Sequence, residues 1–114
     1  MSHVTTHVLD AAVGRPAAGV ALELQAGPRG DATEWHPVAS GITDADGRVG
    51  ALGPDELEPG RYRIVFDTGA YFAAQGTRTF YPQVTLEFTL DDPFAHYHVP
   101  LLLSPFAYST YRGS

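Results

Sequence analysis

An all-β fold, a sandwich or a barrel, is what this sequence predicts. Three observations carry that expectation. Short runs of alternating apolar and polar residues recur along the whole chain, separated by clusters of Gly, Pro and Asp. Two of these runs, Val20 to Gln25 and Val84 to Leu90, alternate without a fault. No segment has the length and the periodicity of a long helix.

The elements follow in order. Val4 to Leu9 reads as a first strand, and Asp10 to Gly19, with Gly14 and Pro16, as a turn region. Val20 to Gln25 is a strand with Val20, Leu22 and Leu24 inward. Thr33 to Ser40 is a weaker strand, which Pro37 confines to an edge or a bulge because proline has no N–H to donate to a ladder. Thr43 to Gly47 is a tight turn feeding a short strand at Arg48 and Val49. Arg61 to Asp67 is a strong strand with Tyr62, Ile64 and Phe66 on one face. Gly69 to Gly76 contains the two-turn helical segment Ala70 to Ala74, ended by Gly76. Val84, Leu86, Phe88 and Leu90 point inward from the next strand, and Thr85, Glu87 and Thr89 outward. His96 to Leu103 and Phe106 to Tyr111 are the last two strands, joined at Ser104-Pro105. No internal repeat or linker divides the 114 residues, so residues 1–114 are read as one domain.

Composition narrows the function classes. A net charge of −6 argues against a nucleic-acid partner or an anionic membrane surface. With no cysteine there is no disulfide, thiolate metal site or cysteine nucleophile. The seven cationic side chains are all arginine, which removes lysine Schiff-base chemistry. Met1 to Asp10 lacks the basic start and apolar stretch of a signal peptide, and no apolar run approaches the ~20 residues of a membrane span. A cytoplasmic protein is the expectation.

One strand breaks the alternation. Tyr97, Val99, Leu101 and Leu103 share one face, and His98, Pro100 and Leu102 share the other, so both faces are largely apolar. A two-sheet sandwich buries one face of each sheet. With no long helix to cover the second face, another copy of the chain is the expected cover. His7 and Leu9, opposite Val8 on the first strand, point the same way. The sheet holding the first and last strands is therefore expected to oligomerise through its outer face.

That placement turns two histidines toward one cleft. His7 and His98 both lie on the outer faces of their strands, and imidazole is the acid–base group suited to neutral pH. His96 and His98, two apart on a strand, share a face and with His7 offer three imidazoles to a zinc ion, a weaker reading than a metal-free site. His3 and His36 have no such context and are expected at the surface. Arg48 follows the turn Asp44-Ala45-Asp46-Gly47, a stretch that is not an EF-hand loop because it lacks the flanking helices and the Glu at position twelve. Ser114 carries a hydroxyl and the terminal carboxylate, Gly113 permits a bend, and Arg112 could pair with a neighbouring chain.

The segment His96 to Ser114, with its ending Tyr111-Arg112-Gly113-Ser114, resembles the C-terminal signature of the 5-hydroxyisourate hydrolases in the transthyretin-like family. His7-Val8-Leu9-Asp10, Asp46-Gly47-Arg48 and Gly60-Arg61-Tyr62 occur in that family's order, so the resemblance covers nearly the whole chain. It implies a sandwich of two four-stranded sheets with one short helix, and a homotetramer built as a dimer of dimers with active sites in the channel between dimers. Matched motif by motif, it implies His7, Arg48, His98 and Ser114 as the catalytic set and Tyr111, Pro100 and Leu102 as substrate-binding wall. It implies no cofactor. The implied reaction is metal-free hydrolysis of 5-hydroxyisourate to 2-oxo-4-hydroxy-4-carboxy-5-ureidoimidazoline. In it a histidine takes a proton from water and Arg48 steadies the oxyanion. Two other readings stand beside it: a non-catalytic small-ligand binder on the same scaffold, and a zinc hydrolase using His7, His96 and His98.

Overall fold

The computed structural model describes residues 2–114; Met1, the first residue of the segment read as lacking a signal peptide, lies outside them. Eight strands and one helix follow in the order β1 (Val4–Asp10), β2 (Arg15–Pro16), β3 (Ala21–Ala26), β4 (His36–Ile42), β5 (Gly60–Phe66), α1 (Thr68–Ala74), β6 (Val84–Leu90), β7 (Tyr97–Ser104) and β8 (Ala107–Thr110). They form two four-stranded sheets, ordered β2-β1-β7-β8 and β4-β3-β5-β6. This is the expected sandwich. The paired strands run antiparallel except β1 and β7, which run parallel from Val4 beside Tyr97 to Asp10 beside Leu103.

The inward residues of the two sheets make the core. Val4 and Val8 of β1 and Val99, Leu101 and Leu103 of β7 meet Leu22, Leu24, Ile64, Phe66, Val84 and Leu90 from the opposite sheet, all buried. Phe72 plugs this core from α1. Asp67 caps the helix by accepting the Ala70 N–H, and Gly76, at φ +67°, ends it in the left-handed conformation that favours glycine. The polar Thr6 also points inward, where its hydroxyl donates to the Val99 carbonyl at 2.6 Å.

Proline and the pairing register agree on β4. It is an edge strand, and Leu24 and Gln25 pair with Ala39 and Pro37, so Val38 is the extra residue of a bulge. β4 begins and ends later than the sequence suggests, at His36 and Ile42.

Two expectations are corrected, and a third side chain, Arg112, finds a contact within its own chain. Arg48 and Val49 form no strand; Arg48 makes an isolated bridge to His7. Gly47, at φ +76°, brings the turn onto β1 at this single point, and just beyond it Leu9 and Asp10 are paired with β2. His3 is buried, not at the surface: its Nδ1 accepts the Leu57 N–H and its ring packs against Tyr97. Arg112 lies over the Tyr97 ring of its own chain, 4.5 Å from the centroid.

Candidate active site

The parallel register of β1 and β7 sets Thr5 beside His98, His7 beside Pro100 and Leu9 beside Leu102. All six residues share the outer face of the first sheet, since alternation sends their neighbours into the core. His7 and His98 therefore do face one side, as expected. Pro100 is buried, while His7, Leu9 and Leu102 are half-buried.

At one end of this face lies an open groove of about 610 Å³. That falls in the range of about 300–1,000 Å³ usual for small-molecule sites. Four pieces of chain build it. Thr5 and Thr6 come from β1, His96 and His98 from β7 and its entry, Asp44, Arg48, Val49 and Gly50 from the loop after β4, and Tyr111, Gly113 and Ser114 from the C-terminus.

The loop is held by Asp44. Its Oδ1 accepts the N–H groups of Asp46 and Arg48, and its backbone N–H donates to the Arg48 carbonyl at 2.7 Å. Gly47 adopts φ +76°, and a Cβ there would stand 2.3 Å from the Val8 carbonyl oxygen. Only glycine fits so close to the strand with that backbone, and this approach carries Arg48 onto the β1 edge beside His7. The exposed terminus is tied down as well: Gly113 bridges His98, and its N–H donates to the His98 carbonyl at 2.8 Å.

His98 is the electrostatic centre. Desolvation by burial holds its imidazole below the ordinary histidine range, and the nearby Arg48 guanidinium, followed by the neighbouring imidazoles of His7 and His96, lowers it further. The shift favours the neutral form, which keeps a lone pair to accept a proton. Its Nδ1 lies 2.8 Å from the Thr5 hydroxyl, which also lies 2.9 Å from His96 Nε2.

Of the residues read from the sequence, His98, Arg48, Ser114 and Tyr111 line the groove together. His7 adjoins it through Arg48. Pro100 and Leu102 continue the same sheet face but do not line the groove within one protomer. His96 and His98 do share a face, yet among the described residues no group of three His, Asp or Glu side chains is placed to hold a metal ion. Sequence reasoning missed Thr5 and Asp44. Thr5 has the parity of His7, but its place beside His98 depends on a parallel pairing across more than ninety residues.

The fold and groove define a transthyretin-like sandwich with a histidine- and arginine-bearing site on its outer sheet. The chain belongs to the HIUase/Transthyretin family, whose model matches residues 4–113. It is 44% identical over 114 residues to the 5-hydroxyisourate hydrolase of Mus musculus, spanning 99% of this chain and 96% of that one. The structure of Klebsiella pneumoniae 5-hydroxyisourate hydrolase superposes with a TM-score of 0.84 at 34% identity, covering 97% of this chain and 98% of that one. Transthyretin from Sparus aurata superposes with a TM-score of 0.90 at 33% identity, covering 99% and 97%.

Proposed function

We propose that this protein hydrolyses 5-hydroxyisourate to 2-oxo-4-hydroxy-4-carboxy-5-ureidoimidazoline, a step of urate degradation. The observation that carries this reading is the gathering of His98, Arg48 and Ser114 on one groove, where burial lowers the His98 imidazole below its ordinary range. The likeness to hydroxyisourate hydrolases from mouse and Klebsiella supports it.

His98 takes a proton from water as the water oxygen adds to the ring carbonyl next to nitrogen. The carbonyl oxygen gains negative charge, and the Arg48 guanidinium stabilises it with its fixed fork of donors. The carbon–nitrogen bond then breaks, and the departing nitrogen takes a proton held by His7 or His98. Ser114 orients the water. Tyr111, Pro100 and Leu102 form the wall that holds the planar substrate.

Residues 1–114 act as a single domain in this reading, in the cytoplasm and without a cofactor. Four copies associate as a dimer of dimers, with the outer faces of the β2-β1-β7-β8 sheets turned to a central channel. The half-exposed Leu9 and Leu102 supply apolar surface for that contact. Across the channel, Pro100 and Leu102 come to bound the site.

The test is the ultraviolet decay of freshly generated 5-hydroxyisourate, with and without EDTA-treated protein. Acceleration that survives chelation and drops in His98→Ala is the expected result. No acceleration by well-folded protein overturns the reading and leaves a small-ligand binder. Acceleration lost to EDTA overturns its metal-free mechanism.

A further inference from the structure

The mechanism above needs one particular form of His98, and the hydrogen bonds around it point to what selects that form. The Thr5 hydroxyl stands between two imidazole nitrogens, 2.8 Å from His98 Nδ1 and 2.9 Å from His96 Nε2. A hydroxyl has one proton to donate and lone pairs to accept. Between two neutral rings it donates to one nitrogen and accepts an N–H from the other.

Only two arrangements satisfy both contacts. In the first, Thr5 donates to His96 Nε2 and accepts from His98 Nδ1–H, which leaves His98 Nε2 with its lone pair. In the second, Thr5 donates to His98 Nδ1, and the His98 proton sits on Nε2. Since Nδ1 is occupied by Thr5 in both, Nε2 is the nitrogen left for the groove. The first arrangement is a base there and the second is not.

We infer that Thr5 and His96 are positioning residues that hold His98 in the tautomer protonated at Nδ1, with Nε2 free to take a proton. This rests on the function proposed above and adds to it two residues that act through His98. The geometry suits the role. Thr5 is β-branched and has few side-chain conformers on a strand, and its register beside His98 is set by the continuous parallel ladder from Val4 to Asp10. His96 stands at the entry to β7, exposed, where its own proton can reside on Nδ1. A second contact limits the ring's movement: Gly113 packs so close to the His98 ring that a Cβ there would stand 2.5 Å from Cδ2.

The experiment compares wild type with Thr5→Val, which keeps the shape and removes the hydroxyl, and with Thr5→Ser, which restores it. Long-range ¹H–¹⁵N spectra of the folded protein read the His98 tautomer directly. The wild type and Thr5→Ser are expected to carry the proton on Nδ1, and Thr5→Val to shift toward Nε2–H. In turnover, Thr5→Val is expected to lower kcat by about tenfold or more with KM little changed, part of the about 10²–10⁴-fold that a positioned acid–base group contributes. His96→Ala is expected to act in the same direction. A wild-type His98 protonated on Nε2, or a folded Thr5→Val with unaltered tautomer, overturns the inference. An unchanged kcat in Thr5→Val overturns it too. The spectra decide the point even if the wild type fails to turn over 5-hydroxyisourate, so a failure of the proposed function is told apart from a failure of this one.

Discussion

Gly113 touches His98 more closely than any other residue type would allow. A Cβ at Gly113 would stand 2.5 Å from His98 Cδ2 and 3.1 Å from Cγ, while the Gly113 N–H donates to the His98 carbonyl. The penultimate residue is thus fitted to the imidazole, and its small size lets the C-terminus lie over the ring. Gly113→Ala forces the terminus or the ring to move. We expect a loss of about tenfold or more in kcat/KM, since small misplacements of a catalytic group are costly. We expect Tm within a few degrees of wild type, because the terminus adds little to the core. Parallel kinetics and thermal melts check this.

Removing Ser114 alone leaves Gly113 and its bridge to His98 in place. The expected outcome is a fall in kcat with retained melting behaviour, measured on the truncated chain. Undiminished turnover would deprive the terminal residue of its role.

The pH profile follows from the depressed imidazole of His98, which is lowered first by burial and then by Arg48, His7 and His96. The acid limb of kcat/KM is expected below the ordinary histidine value of about 6.5. Arg48→Met removes one of the charges that depress it, so the limb should move up in pH while the rate at its plateau falls. The sign for stability is also determined. A histidine whose folded pKa is lowered binds fewer protons folded than unfolded. Its effect is absent above about 6.5 and becomes destabilising as pH falls below that value. Wild type is therefore expected to lose stability on acidification in this window more than His98→Gln does, as urea titrations at several pH values would show.

Away from the groove, Asp10 is 2% exposed and ends β1. Its Oδ1 accepts the Ala12 N–H and its Oδ2 accepts the Tyr71 hydroxyl at 2.7 Å, docking α1 to the first sheet. Burial, followed by this hydrogen bond, raises the Tyr71 phenol above its usual range. Tyr71→Phe leaves a buried carboxylate oxygen without its donor, which costs about 1–3 kcal/mol. We expect denaturation midpoints to fall accordingly, with kcat unchanged.

The strands other than the two-residue β2, which was read as part of a turn, the helix and the inward set of Val20, Leu22, Leu24, Tyr62, Ile64 and Phe66 were legible in the sequence because alternation and turn chemistry are local. So were the glycine after the helix, the edge placement of Pro37 and the shared face of His7 and His98. The motifs at His7, Arg48, His98 and Ser114 carried the resemblance to the family. Contacts between distant segments were not legible. The strand expected at Arg48 reduces to one bridge with His7, next to the two residues of β1 that β2 pairs. His3 is buried because its partner Leu57 and its neighbour Tyr97 come from far along the chain. Arg112 turns to its own Tyr97. Thr5 reaches His98 through the parallel register. The sequence by itself determined which residues face inward and which chemistry is present, since both depend on residue type and on a period of two. Only the tertiary structure decided which of those residues meet, because pairing register and loop closure bring together positions more than ninety residues apart that no local pattern records.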